Sequence, residues 1–457
     1  MKVMFLSPDD LSRFELQYGQ YGRRVHAGEE VDRTAGRESY QATEYGLAEE
    51  GKKFSIRPLV SGAPTLIELI PHFLTWNDGA SFLDMINALD YQASQLRLRQ
   101  ALNEIEKMDS GIAGGICDAL EKLPDWASVR FTIAPATRQR LALLRKAPAT
   151  HVASLCQTLK AELRLSGEEV PGEGCWTALG DFFLTGEAGV FVDPCVSNWS
   201  PDANLRAPRL MQIIPLDAVS PNLRDISSPT SSFELHTPEE FAAAARKLQT
   251  VMEFVGSVVG SAGRVIQRCV KVVAVGKTNG VIGSSSHYTF PGQVLLRTSV
   301  RSTEAMMASA LVHETIHQVL YVLESCERFV DERALGGRMS VASPWTERQL
   351  AVHSYIHACF VWYGLATFWR RALASGLLPA EAMEAQFSEA LKGFRAGNPV
   401  DRLLPYREAI CPEAMQAVAS LRDELLRAGE LERQPAVVRG VHPTGSVGLR
   451  PVVRAVH

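Results

Sequence analysis

The stretch "LVHETIHQVL", Leu311–Leu320, sets two histidines four residues apart with a glutamate beside the first. On a helix of 3.6 residues per turn, His313 and His317 project from one face, so both imidazoles can reach one ion. Glu314 is rotated roughly 100° from His313, which suits it better to a metal-bound water or a ring N–H than to ligation. This is the HExxH pattern, two histidine ligands and a glutamate that serves as base. Met306, Ala310, Leu320 and Glu324 share the histidine face, and Ala308, Leu311, Val312, Val319 and Leu323 make much of the remainder apolar. A helix apolar nearly all round belongs inside a domain.

Just upstream, "RCVKVVAVG" is a short apolar run bounded by glycine, and "KTNG" supplies an Asn-Gly turn. "HYTFPGQVLLRTS" reads as a second strand around a Pro-Gly break. A strand pair feeding the histidine helix is the order of zincin-type domains, whose edge strand can hold an extended peptide by main-chain hydrogen bonds. Further back, Thr237-Pro238-Glu239-Glu240 combines an N-cap, a first-position proline and acids, so a helix should run from there to about Val255. The Ser/Pro-rich "VSPNLRDISSPTSSFELHTPEE" containing that cap is the expected domain connection. Helical patterns cover Ser81–Met108 and about Thr137–Leu165, while "GCWTALGDFFLTGEAGVFVDPC" mixes helix, turn and strand signals. The expected fold class is therefore α+β, mainly helical. Residues 1–230 form a largely helical region, polar and irregular at its start. Residues 231–430 form a zincin-like metal domain with a short β-sheet, and 431–457 a mobile basic tail.

Composition narrows the function classes. Of 457 residues, 46% are apolar and 21% charged, an ordinary globular balance with ample core. A net charge of -4 gives no global reason to expect nucleic acid. No run approaches a membrane span, and "MKVMFLSPDD" has too short an apolar stretch for a signal peptide. The eight cysteines form no CxxC pair and read as reduced core thiols, Cys326 and Cys359 included, of a cytoplasmic protein.

Two histidines need a third ligand. A metzincin extension is excluded, because Leu320 and Leu323 stand where its glycine and histidine would be. A gluzincin would use Glu324, Glu327 or Glu332. The other source is "ASPWTERQLAVHSYIHACFVWYGLATFWRRAL", in which His353 and His357 again lie one helical turn apart.

"PGQVLLRTS", "LVHETIHQ" and "SPWTERQLAVHSYIHACFVWYGLATFW" together resemble the HExxH-domain peptide-modification proteins of ribosomal peptide pathways, understood as iron- and 2-oxoglutarate-dependent peptide β-hydroxylases. The likeness covers about residues 285–370, with a weaker echo in "IIPLDAVSP". Laying Pro344-Trp345 and Phe368-Trp369 on the family pattern without gaps puts His357 at the family histidine and Ala358 at its glycine. The resemblance thus implies His313, His317 and His357 as metal ligands, Glu314 beside them, and His353 as a neighbouring or substrate-contacting group. It implies Fe(II) and 2-oxoglutarate as cofactors and a precursor peptide or protein as substrate. Thr346 and Leu350 stand where the family has arginines, so the cation for the oxoglutarate carboxylate falls to Arg348, with Arg338 and Arg297 behind it. By residue type alone, three histidines suit zinc and peptide hydrolysis with Glu314 as base. A catalytically inactive scaffold that binds a peptide is the third expectation.

Overall fold

The computed structural model describes residues 45–50, 53–58, 65–77, 80–180, 182–184, 212–215, 236–289, 291–335, 339–429 and 431. In chain order the elements begin with an antiparallel pair, β1 (Tyr45–Glu50) and β2 (Lys53–Pro58). Six helices follow: α1 (Leu66–Phe73), α2 (Ala80–Met108), α3 (Ser110–Lys122), α4 (Asp125–Ile133), α5 (Pro135–Leu143) and α6 (Pro148–Leu165). Next come β3 (Cys175–Trp176), β4 (Phe183–Leu184), β5 (Gln212–Pro215), α7 (Pro238–Val258) and α8 (Gly260–Cys269). The segment carrying the motif contains β6 (Val272–Lys277), β7 (Ile282–Ser285), β8 (Gln293–Thr298) and α9 (Glu304–Glu324). The chain then forms β9 (Ser340–Ala342), β10 (Gln349–Ala351), α10 (Val352–Ser375), α11 (Ala380–Arg395) and α12 (Pro412–Arg427). Mainly helical with small sheets is the architecture, as the patterning implies.

Local chemistry explains several boundaries. Thr237 caps α7 in a full capping box with Glu240, and Pro238 sits in the first turn, so that helix starts where expected and runs three residues beyond Val255. The single helix expected over about Thr137–Leu165 is two. Pro148 cannot continue a helix from the preceding turn, and Ala147 leaves helical geometry to start α6 afresh. The glycine- and aromatic-rich stretch after Gly174 gives only the two-residue strands β3 and β4 among the described residues.

The four-stranded sheet has the order β5-β6-β8-β7. β6 and β8 are parallel neighbours, with Val273 opposite Val294, and β7 runs antiparallel on the outer side of β8. The Asn279-Gly280 turn therefore does not close a hairpin of adjacent strands; it carries the chain past the place that β8 later fills. Alternate side chains separate two cores. Val273, Val275, Val294 and Leu296 join the core around α9 and α10, whereas Val272, Ala274 and Leu295 face that of α2–α6.

The division expected near residue 230 falls outside the described residues, and helices from both sides of it share one core. Leu66, Ile67, Ile70 and Phe73 of α1 pack with α9, α10 and α12. Trp76 Nε1 donates to the Gly364 carbonyl (2.8 Å), and Thr367 Oγ1 donates to that of Leu74. The described residues from Tyr45 onward group as one compact unit. Residues 1–44 and the basic stretch 432–457 lie outside the described residues. Among those described, no helix is long and apolar enough to cross a membrane.

Candidate metal centre

Two long helices supply the site. α9 is capped by Thr303, whose hydroxyl accepts from the Met306 N–H, and it ends at Glu324. α10 starts directly from β10 and ends at Gly376 in the left-handed conformation. They cross closely because Gly364 has no side chain: a Cβ there would stand 2.6 Å from Ile316 Cδ1 and 3.2 Å from Leu74 Cδ2. That crossing brings His317 Nδ1 to 3.2 Å from His357 Nδ1, with the rings stacked at 24°. His313 lies one turn back, its ring centroid 5.0 Å from that of His317, and meets the edge of Trp362. Trp362 stacks on Trp345, whose Nε1 donates to the Ala390 carbonyl and whose indole lies over Gly393. The Pro344-Trp345 segment thus braces His313 from behind.

Glu324 lies beyond His357. Its Oε2 accepts from His357 Nε2 (2.8 Å) and His353 Nε2 (2.6 Å). A neutral His357 that donates through Nε2 must present an Nδ1 lone pair, and this nitrogen faces His317. The carboxylate therefore fixes the tautomer as the carboxylates behind metal-bound histidines do. Burial pushes the Glu324 carboxyl up, but the charges and N–H groups of His357 and His353 more than offset this and hold it at about 2. Burial also disfavours charge on His353, yet Glu324 holds that imidazolium above its ordinary range. The imidazoles of His313, His317 and His357 are pushed down, chiefly by burial, His313 to about 4. They stay neutral at physiological pH, the state that ligates.

Two of the three expected donors, His317 Nδ1 and His357 Nδ1, face each other at a spacing that fits a metal, whereas His313 offers no nitrogen within 4.8 Å of both. His313 has no hydrogen-bond partner among the described residues, its ring neighbours being the tilted His317 and the edge-on Trp362, and burial strongly disfavours its charged form. A separation of 3.2 Å is what two imidazole nitrogens adopt when both bond one ion at about 2.1 Å. A second grouping also exists. Glu324, His353 and His357 offer one ligand atom each within 4.8 Å of one another, the set of three with that property among the described residues. His357 belongs to both groupings, one through each nitrogen.

Glu314 faces away from this line of imidazoles. Ser284 Oγ donates to its Oε1 (2.8 Å) and Ser286 Oγ to its Oε2 (2.6 Å), so β7 and the residue after it grip both carboxylate oxygens. Burial raises the carboxyl to about 7, and the two serines only partly oppose it. Tyr321 stacks on His317, lies near His357 and hydrogen-bonds Ser286.

Of the expected cations, Arg297 stands on the wrong face of the sheet. It is paired with Gly283, and its guanidinium lies 3.0 Å from where a Gly283 Cβ would be, whereas the neighbouring Ser284 turns toward Glu314. Arg338 is outside the described residues. Arg348 is exposed in the loop joining β9 and β10, its carbonyl accepting from the Ser343 N–H. The arginine whose charge acts on His353 is Arg328, exposed just after α9. Sequence reasoning passed over it, and over the two serines, for which "GSSSHY" carries no periodic signal. Tyr321 was within reach, being four residues after His317 on the same face.

No protein-family model matches the chain, and no curated protein is significantly similar to it.

Proposed function

We propose that this protein hydroxylates a side chain, at the β-carbon, in a ribosomally made peptide or protein, using Fe(II), 2-oxoglutarate and O₂. The observation that carries the reading is the approach of His357 Nδ1 to His317 Nδ1 beside His313. These are the three residues that the resemblance to HExxH peptide hydroxylases assigns to the metal. When bound, iron with the oxoacid and O₂ would supply the oxidant, the balance being peptide C–H plus 2-oxoglutarate plus O₂ to peptide C–OH, succinate and CO₂. The chain's own groups do the rest. Glu324 orients His357, Trp362 braces His313, and β7, the outer strand of a zincin-like sheet, offers its open edge to an extended peptide. Arg348 and Arg328, on loops before and after the two helices' junction, are the cations for the distal carboxylate of the oxoacid.

The tethering of Glu314 supports modification over cutting. A hydrolytic base must be able to turn toward the attacking water, and although each Glu314 oxygen keeps a second lone pair, Ser284 and Ser286 hold the carboxylate toward β7. A zinc peptidase is the second reading, favoured by the all-nitrogen set and by a carboxyl poised at about 7.

Protein loaded anaerobically with Fe(II), then given 2-oxoglutarate, air and a peptide library, should release succinate and yield intact peptide one oxygen heavier. Zinc-supported cleavage without oxoglutarate or air would replace this reading with the peptidase, and neither product, with the metal site empty after loading, would leave a binding scaffold.

A further inference from the structure

The helices before the sheet bury charge in two different ways. Arg130 of α4 is fully paired, its Nε donating to both oxygens of Glu162 at 3.1 and 3.0 Å. Arg138 of α5 reaches Asp90 Oδ2 and the Pro291 carbonyl, each at 2.8 Å. Arg140, two residues on and half-buried, has neither kind of partner among the described residues. Its Nε and Nη1 are shut off from solvent and make no hydrogen bond. Burial alone pushes the guanidinium down to about 10, with no carboxylate opposing it.

Other polar atoms near it are in the same condition. Thr137, fully buried, lies one turn earlier on the same face of α5, and its Oγ1 is unpartnered. His151 of α6 is buried and its Nδ1 is unpartnered. Arg140 also acts electrostatically on His151, which places the two side chains together where α5 packs on α6. The cluster is therefore made of donors: guanidinium N–H groups, a hydroxyl, and a ring nitrogen that donates in its Nδ1–H tautomer. Arginine does not escape the cost of burial by shedding its proton, and an uncompensated buried cation is strongly unfavourable. What completes such a cluster is an anion with several acceptor oxygens.

We propose that Thr137, Arg140 and His151 form a seat for a small oxoanion, the carboxylate or phosphate group of a ligand. The seat is separate from the histidine cluster, and the proposal stands whether or not the hydroxylase reading does. The same chemistry could come from a carboxylate of this chain outside the described residues, and the test distinguishes the two sources.

Thermal unfolding of dialysed full-length protein is followed against inorganic phosphate, and separately acetate, at constant ionic strength set with chloride. Wild type should show a saturable rise in Tm with at least one of them. Arg140→Met should weaken the apparent affinity at least tenfold, and Thr137→Val roughly three- to tenfold, as loss of one charged or one neutral hydrogen bond does. Any rise that Arg140→Met retains measures non-specific salting and is subtracted. Without added anion, Arg140→Met should be at least as stable as wild type, because it removes an uncompensated charge. Wild type indifferent to both anions would overturn the proposal; a less stable Arg140→Met would then assign the seat to the chain's own carboxylate, and an equally stable one would leave no anion at all. If Arg140→Met does not fold, the wild-type titration and Thr137→Val still decide.

Discussion

His357 is the residue on which the site turns, because each of its nitrogens is committed. Nε2 donates to Glu324 and Nδ1 faces His317. The protonation of its surroundings gives a testable pH dependence for the metal-free protein. His313, His317 and His357 have pKa values lowered below 6.5, so below that value the unfolded chain binds protons that the native state refuses, down to about 4 for His313. Their stabilising effect is present above pH 6.5 and is lost on acidification. Glu314 has the opposite sign: raised from 4.5 to about 7, it contributes stability below pH 4.5 that is lost as pH rises through 7. Glu324, lowered to about 2, still contributes fully above pH 4.5 and loses that contribution only as pH falls through about 2. Three groups outweigh one, so denaturant midpoints measured with chelator should fall from pH 6.5 to 4.5. Glu314→Gln should steepen that fall, since it removes a group that gains on acidification across this window, whereas His353, raised above 6.5, gains chiefly at higher pH. A shallower slope in the variant would mean that Glu314 is ionised in the native state throughout. At this scale His313, His317, Glu314 and His357 were legible from spacing and resemblance. Glu324 was placed on the histidine face, but its contacts with His353 and His357 were not legible, because only the crossing of α10 brings those rings to it.

At the level of elements, the contact between α9 and α10 sets the imidazole spacing, and Gly364 sets the contact. Gly364→Ala puts a methyl group against Ile316 and Leu74 and should destabilise the fold by about 1–3 kcal/mol, the usual range for overpacking. It should weaken metal binding as well, because the helices must part where His317 meets His357. Ile316→Val in the same chain should recover part of both losses, a coupling read by a double-mutant cycle. Additive effects would show that the crossing tolerates the methyl without moving. The histidine helix and the Thr237 cap were readable because each is a local signal. The sheet order was not. An Asn-Gly turn after an apolar run reads as a hairpin, and nothing local announces that β8 will insert between β6 and β7 as a parallel partner of β6.

On the scale of the whole molecule, the helices before residue 110 belong to the metal site's support. α1 fills the core beneath α10, Trp76 holds the Gly364 carbonyl, and Ser261 Oγ donates to that of Trp76. A fragment of residues 231–430 should therefore fail to fold cooperatively, whereas 65–430 should unfold in one transition; calorimetry of both checks it. A cooperative transition in the shorter fragment would restore the domain boundary that composition suggested. That boundary was drawn on a Ser/Pro-rich segment, which marks a break in local structure, whereas apolar residues far apart in sequence decide where one core ends.

In the proposed enzyme the ion lies between His313, His317 and Nδ1 of His357, with Glu324 behind His357. Anomalous diffraction at the iron edge, from crystals grown and loaded with Fe(II) under anaerobic conditions, locates the ion directly. Because His313 offers no nitrogen within 4.8 Å of both facing nitrogens in this structure, loading should draw its ring inward, giving a single peak within about 2.3 Å of one nitrogen on each of those three rings, with the contact from Glu324 to His357 Nε2 intact. A peak between Glu324, His353 and Nε2 of His357 would contradict it.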